Sequence, residues 1–414
     1  MRYRQFGRCG FEVSALGFGC MRLPCVGGDQ SAIREDEAVR MVRYAIDEGV
    51  NYVDTAYGYH GGNSEAFVGR ALADGYRDRV KLATKLPVWL CKSYDDFDRL
   101  LGEQLERLAT DHVDCYLLHS LNQKSWLKVR DMGVLDFLAK QLELGRIRHA
   151  GFSFHAAYEV FADIVDAFDW DFCQIMLNYV DVEYQAGLAG LKYAASRGLA
   201  VVVMEPLRGG KLAANLPEEV VAALGVRGAG DGGRCACGGL GGEGGASNAG
   251  REGCEGGASN AGREDWSPAE WALRWVWNLP EVSVALSGMS SMEQVVDNIR
   301  IASDAAPGAL TERQLAMLAR AREAYMTRTK IACTECGYCQ PCPQGVLIPD
   351  VFGLYNEAEI FNAWEGSRWM YGGIVKASRD ASKCVECGQC EAACPQQLQV
   401  IELLKEAHAA LAAE

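Results

Sequence analysis

Eight cysteines stand in two tight runs near the carboxyl end of the chain. The first reads Cys333-Thr-Glu-Cys336-Gly-Tyr-Cys339-Gln-Pro-Cys342-Pro343, the second Cys384-Val-Glu-Cys387-Gly-Gln-Cys390-Glu-Ala-Ala-Cys394-Pro395. Three cysteines spaced by two residues wrap one turn of backbone around one face of a cluster. A fourth, set off and followed by proline, faces away and reaches a second cluster. The expected chemistry is iron–sulfur ligation by two [4Fe–4S] clusters. Crossed ligation assigns Cys333, Cys336, Cys339 and Cys394 to one and Cys384, Cys387, Cys390 and Cys342 to the other. The second run has the spacing usual for bacterial clusters, whereas the first has only two residues before Cys342. Zinc is the competing reading, but it generally takes two Cys-x-x-Cys pairs separated by a longer stretch.

A second set of reactive groups lies in the first 120 residues. Asp54, Lys85 and His119 each follow or end a short apolar run, and Tyr59 lies five residues beyond Asp54. A free tyrosine titrates near ~10 and is a poor acid at neutral pH. A neighbouring ammonium favours the phenolate and lowers that value. Asp54 would hold Lys85 charged and oriented, and His119 could hydrogen-bond a carbonyl oxygen. Together the four suit protonation of a carbonyl oxygen as hydride reaches its carbon. Tyr57 competes with Tyr59 for the acid role, and the choice rests on geometry. His60 and His155 read as loop or pocket residues, because neither has a second ligand at metal-binding spacing.

The elements that must position these groups follow one rhythm. Apolar runs at 15–20, 51–54, 80–85, 113–118, 149–152, 172–178, 200–204 and 284–287 predict strands. Helical periodicity fills 34–49, 64–73, 94–109, 133–144, 156–168, 186–197, 267–279 and 291–302. Leu100, Leu101, Leu105 and Leu108 make one such stripe, and Trp266, Trp271, Trp275 and Trp277 read as packing residues. Eight strand–helix units predict an α/β fold, a (β/α)8 TIM barrel, with catalytic groups at the carboxyl ends of the strands. An open doubly wound sheet is the alternative. The chain of 414 residues then divides into a barrel over 1–326 and a small α-helical ferredoxin-like iron–sulfur domain over 327–414. A further helix over 311–326 spans roughly 24 Å at ~1.5 Å per residue. That is enough to climb the barrel wall and bring Cys333 to the catalytic rim.

One stretch breaks the rhythm. Residues 225–264 are glycine-rich and repeat Glu-Gly-Gly-Ala-Ser-Asn-Ala-Gly-Arg-Glu at 243–252 and 255–264. Such a sequence buries too little apolar surface to offset its ordering entropy, so it reads as a disordered insertion between strands seven and eight. Cys235, Cys237 and Cys254 within it read as exposed thiols rather than metal ligands.

The formal charge of −14, with no basic block, argues against nucleic acid as a partner. No apolar stretch approaches the roughly 20 residues of a membrane span, and the amino terminus has no secretory h-region. Seventeen cysteines without an export signal predict reduced thiols and metal ligands in a cytoplasmic setting.

At the four polar residues the sequence resembles the aldo/keto reductase family. Its Asp–Tyr–Lys–His tetrad corresponds to Asp54, Tyr59, Lys85 and His119. The strings Val-Asp-Thr-Ala, Ala-Thr-Lys and Tyr-Leu-Leu-His-Ser agree locally, and the likeness covers roughly 1–325 apart from the insertion. The resemblance extends to a branch with an appended iron–sulfur domain. It implies an oxidoreductase using NAD(P)H on a small carbonyl or alcohol substrate. Ser153, Gln174 and Asn178 would lie near the nicotinamide. The loops at 205–211 and 287–298 would hold the diphosphate and adenine end, through Glu205, Leu207, Gly209, Lys211, Ser287, Gly288, Ser290, Gln294 and Asn298. Two departures stand out. Phe154-His155 follows Ser153 where many members have Asn, and the loop 287–294 lacks the cation that commonly clamps a 2′-phosphate. The clusters would be structural, exchange electrons with a partner redox protein, or feed a flavin. An electron-transfer protein using its barrel only as a docking scaffold remains the alternative from another class.

Overall fold

The computed structural model describes residues 1–27, 29–226, 266–333, 337–394 and 396–413. The repeat-bearing insertion, with Cys235, Cys237 and Cys254, falls outside the described residues from 227 to 265, as does Cys336.

The chain opens with a hairpin, β1 (Tyr3–Gln5) and β2 (Glu12–Ser14). Eight parallel strands follow: β3 (Leu16–Gly19), β4 (Tyr52–Asp54), β5 (Lys81–Leu86), β6 (Val113–Leu121), β7 (Ile147–Phe154), β8 (Phe172–Met176), β9 (Ala200–Met204) and β10 (Val282–Gly288). They close a barrel in sequence order, with β10 pairing both β9 and β3. The expected TIM barrel is therefore present, and each of the eight anticipated strands overlaps an observed one.

The connecting helices are α1 (Glu35–Asp47), α2 (Ser64–Ala71), α3 (Asp95–Arg107), α4 (Gln123–Asp131), α5 (Val134–Glu143), α6 (Tyr158–Asp166), α7 (Gly187–Ser196), α8 (Glu218–Leu224), α9 (Pro268–Asn278) and α10 (Met292–Asp304). The amphipathic ones bury the stripes that the sequence shows; α3, for example, buries Phe97, Leu100, Leu101 and Leu105. Trp271 and Trp277 on α9 are fully buried, and Trp266 and Trp275 nearly so, consistent with packing.

Within the barrel, two helices and the hairpin lie outside the anticipated elements. Helix α4 buries only Trp126 and Val129, too few for a periodic stripe. Its signal is the capping box of Asn122 and Ser125, whose side chains bond each other's backbone N–H. Helix α8 has seven residues, too short to show a period.

The hairpin plugs the amino-terminal end of the barrel. Phe6 is fully buried among Tyr52, Phe172, Ala200 and Val284. Its ring centroid lies 5.4 Å from that of Phe172 and 5.9 Å from that of Tyr52. Gly7 makes this possible: it has φ +52°, and a Cβ there would stand 2.4 Å from the Ala200 nitrogen.

Helix α11 (Glu312–Met326) starts at a capping box of Thr311 and Gln314 and runs back along the barrel. Near its end Arg322 donates to the Val180 carbonyl, and Tyr325 lies 6.4 Å from Tyr179 between ring centroids. Both partners lie just beyond β8, so the helix reaches the carboxyl-end rim as its length predicted. Four more helices follow: α12 (Ile348–Phe361), α13 (Trp364–Lys376), α14 (Gln389–Ala393) and α15 (Val400–Leu411). They share a separate apolar cluster in which Val351, Phe352, Tyr371, Val400 and Leu404 are buried. Tyr371 links it: its hydroxyl lies 2.6 Å from His408 Nδ1 and accepts from the Ala381 N–H. Among the described residues, no helix is long and apolar enough to cross a membrane.

Replacing Phe6 by alanine should destabilise the barrel by about 3–5 kcal/mol, the usual cost of emptying a packed aromatic site. Chemical denaturation followed by tryptophan fluorescence measures this. A loss under about 1 kcal/mol would show that the hairpin does not belong to the core.

Candidate active site and metal centres

Barrel register carries the four reactive groups to one end. Asp54 ends β4, Lys85 lies near the end of β5, and His119 lies in the last third of β6. Tyr59 opens a short 3-10 turn after β4. Lys85 is fully buried and donates to Asp54 Oδ1 at 2.6 Å, to the Thr55 carbonyl at 2.8 Å and to the Tyr59 hydroxyl at 3.4 Å. Three acceptors thus use the three donors of one ammonium. The Tyr59 and His119 rings stand 6.0 Å apart, nearly edge to face. Trp89, half exposed on the loop after β5, lies 5.1 Å from the His119 ring.

Geometry separates the two tyrosines. The Tyr57 hydroxyl donates to Glu103 at 3.0 Å, on the wall between helices, and only Tyr59 meets Lys85. His60 is pinned in the loop: Nε2 accepts the Leu23 N–H, and Nδ1 lies 2.7 Å from the Gln30 carbonyl.

Electrostatics follow burial. Burial works to discharge Lys85, but Asp54 and Tyr59 outweigh it and hold its pKa above the ordinary lysine value. Asp54 is itself raised by burial, with Lys85 opposing. For Tyr59 the expectation of a lowered pKa needs correction. Lys85 does pull it down, but burial raises it further, and the phenol ends above its usual value. His119 is lowered to about 3, first by burial and then by Lys85 and His155. It is a neutral imidazole throughout the physiological range.

The residues expected around the nicotinamide lie on adjacent strands. Ser153 on β7 pairs in register with Gln174 on β8. The Ser153 hydroxyl accepts the Ser120 N–H at 2.7 Å. Asn178 is buried and closes the turn after β8, accepting from Val180 and Asp181 and donating to Asp181 and the Glu205 carbonyl. Buried polar atoms without a partner among the described residues include His119 Nδ1, Asp54 Oδ2 and Gln174 Oε1. Such orphans call for a polar ligand, and a nicotinamide carboxamide with a carbonyl substrate fits them.

The two loops are also close. In the second, Asn298 donates to Ser287, and Gln294 accepts the Ser290 N–H. Arg22, absent from the sequence-based site, spans the gap. Its stem packs where a Cβ on Gly288 would sit, and its guanidinium lies beside Gly209. Only the barrel closure of β3 against β10 could reveal it. Arg300 turns away to Glu270 and Asp297. Leu207 and Gly209 shape the first loop, whereas Lys211 is ion-paired with Glu357 of α12.

The seven described cysteines of the two runs line two cavities. One cavity is lined by Cys333, Cys339 and Cys394, with Ile348 and Phe352 behind them. A second, of about 170 Å³, is lined by Cys342, Cys384, Cys387 and Cys390, with Cys339 at its edge. Cys342 therefore stands with the second run despite its short spacing. Donor sets made wholly of thiols fit iron–sulfur clusters. None of the described cysteines is in a disulfide. Cys387 is exposed, beside the largely exposed Val385.

Comparisons with known proteins agree with both halves. A sequence model of the 4Fe-4S dicluster domain matches residues 332–398. The chain is 29% identical over 157 residues to "Probable aldo-keto reductase 1" of Glycine max, covering 36% of this chain and 44% of that protein. It is 28% identical over 233 residues to the uncharacterized oxidoreductase YrpG of Bacillus subtilis, covering 51% of this chain and 68% of that one. Among solved structures, the aldo-keto reductase AKR11C1 from Bacillus halodurans in its holo form superposes with a TM-score of 0.58 at 24% identity. That match covers 78% of this chain and 96% of the other. The thermostable aldo-keto reductase Tm1743, in complex with the inhibitor epalrestat, gives 0.56 at 22% identity, covering 78% and 100%. At that identity the structures speak for the fold. A sequence model of the Aldo/keto reductase family matches residues 15–322, most of the length, and the chain belongs to that family.

Proposed function

We propose that this chain catalyses nicotinamide-dependent reduction of a small carbonyl compound to its alcohol, or the reverse, with Tyr59 as proton donor. The observation that carries this reading is the buried Lys85 ammonium joining Asp54 and the Tyr59 hydroxyl. The nicotinamide, when bound, supplies the hydride. The remaining chemistry belongs to the protein. Neutral His119 hydrogen-bonds the carbonyl oxygen and orients it. Tyr59 delivers its proton to that oxygen, and Lys85 stabilises the phenolate left behind, its own charge held by Asp54. A raised Tyr59 pKa keeps the phenol protonated at neutral pH, the form that reduction needs. Ser153, Gln174 and Asn178 hold the ring end of the dinucleotide. The loops at 205–211 and 287–298 hold its diphosphate and adenine end, through Glu205, Leu207, Gly209, Lys211, Ser287, Gly288, Ser290, Gln294 and Asn298.

The reading extends to the appended region, with the division between domains at 326–327. It carries two [4Fe–4S] clusters, one on Cys333, Cys336, Cys339 and Cys394, the other on Cys342, Cys384, Cys387 and Cys390. Exposure of Cys387 favours one-electron exchange between the second cluster and a partner redox protein. Seventeen cysteines support a reducing, cytoplasmic compartment, and the charge of −14 speaks against nucleic acid as a partner.

Tyr59→Phe should abolish carbonyl reduction while leaving dinucleotide binding nearly intact, because the lost contact belongs to the transition state. An active Tyr59→Phe beside an inactive Tyr57→Phe would reverse the assignment.

The pH dependence has a definite sign. His119 stays neutral above pH about 3, so it contributes no limb near ~6.5, the ordinary histidine value. Reduction is lost only as pH rises through the raised Tyr59 value, above ~10. A profile of kcat for reduction should show no inflection at ~6.5, and one there would contradict the assigned states.

Anaerobically purified protein should be brown, with about eight iron and eight sulfide per chain for two four-iron clusters. Cys387→Ala should remove about half of the iron. Colourless protein with stoichiometric zinc would overturn the cluster assignment.

A further inference from the structure

The appended region meets the barrel at the loop that the proposed function gives to the cofactor diphosphate. Arg208 and Lys211 lie on that loop, directly after β9. Both pair with Glu357 of α12: Arg208 Nη2 at 2.9 Å, and Lys211 through its ammonium. Arg208 also pairs with Asp181, and its guanidinium carbon lies 4.4 Å from the centre of the Phe361 ring. The two cations face two carboxylates, so the group is neutral as a whole. Asp181 accepts from Asn178, which tethers the network to the nicotinamide end of the site.

The members differ in how firmly they are held. Arg208 is mostly buried, with two carboxylates and a ring face around it. Lys211 is about one-third exposed, and among the described residues Glu357 is the carboxylate it pairs with. Burial raises the Glu357 carboxyl, but Arg208 and Lys211 outweigh it and keep the group ionised. Besides Arg22, exposed beside Gly209, a diphosphate reaching this loop meets the partly exposed Lys211, which Glu357 holds. To use Lys211, the diphosphate must displace Glu357.

Helix α12 extends the consequence. Ile348 and Phe352, earlier on this helix, line the cavity of Cys333, Cys339 and Cys394. Five residues separate Phe352 from Glu357, roughly 7.5 Å along the axis at ~1.5 Å per residue. One rigid element thus touches a cluster cavity and the proposed diphosphate loop.

We infer that Glu357 competes with the cofactor diphosphate for Lys211, so that dinucleotide binding loosens the contact between α12 and the barrel. Glu357 is then a positioning residue acting through Lys211. The coupling is reciprocal: whatever tightens α12 on the barrel weakens the dinucleotide, and the reverse. The inference rests on the reading that the loop at 205–211 holds the diphosphate.

The test uses full-length, cluster-loaded protein under anaerobic conditions, with NADH and NADPH as probes. Glu357→Gln should tighten dinucleotide binding by about 3- to 5-fold at low salt, the range of a partly exposed ion pair, with the gain shrinking as salt rises. Glu357→Asp, which restores the charge, should return affinity towards wild type. In the wild-type protein, adding the dinucleotide should speed hydrogen exchange across 348–361, a readout that does not depend on any variant folding. Wild-type binding that Lys211→Ala weakens, with Glu357→Gln unchanged or weaker and exchange in 348–361 unaltered, would overturn the competition alone. No binding by wild type, or binding indifferent to Lys211→Ala, would overturn the diphosphate reading and the competition with it.

Discussion

A fully buried ammonium sets the terms for the catalytic end of this molecule. Lys85 has no exposed surface, and a charge so placed is tolerated only with its donors satisfied and a counter-charge in contact. Asp54 supplies the charge, and the Thr55 carbonyl and Tyr59 hydroxyl take the remaining donors. Removing Asp54 would leave the ammonium buried and unpaired. Removing Lys85 would strand a carboxylate whose second oxygen already lacks a partner. The register of β4 against β5, with Asp54 opposite Ala83, places Lys85 two residues further on to make the pair. Barrel closure and the reactive site are thus one constraint: strands that slipped by one residue would bury the lysine without its acid.

The same burial has opposite effects on the neighbouring groups. It keeps Tyr59 protonated and His119 neutral. A neutral histidine can donate a hydrogen bond to an oxygen without competing to protonate it, which suits the proposed division of roles with Tyr59.

The appended region poses a different problem of chemistry. Nicotinamide exchanges two electrons as hydride, whereas a four-iron cluster exchanges one. Among the described residues, the halves meet through Glu357, Arg208 and Lys211. Coupling through an ion-pair network and a shared helix needs no matching of electron number. It lets the state of one half bias ligand binding in the other.

Sequence by itself determined the parts governed by local pattern. Eight alternating runs specified the barrel, because a strand and its helix each write their own period. The cysteine spacing specified the donor type, and the strand ends picked out Asp54, Lys85 and His119. The hairpin plug escaped because strands of three residues carry no period. Helix α4 escaped because its signal is a cap rather than a stripe. Tertiary structure decided what depends on distance through space. It put Tyr59 against Lys85 and Tyr57 against Glu103, since a hydroxyl's partner is not written in its neighbours. It reversed the net direction of the Tyr59 pKa, since spacing shows a nearby Lys but not the depth of burial. It brought Arg22 between two loops and Glu357 onto Lys211, 146 residues away in the chain. Charge pairing at that separation depends on where whole elements dock, which no local run of residues encodes.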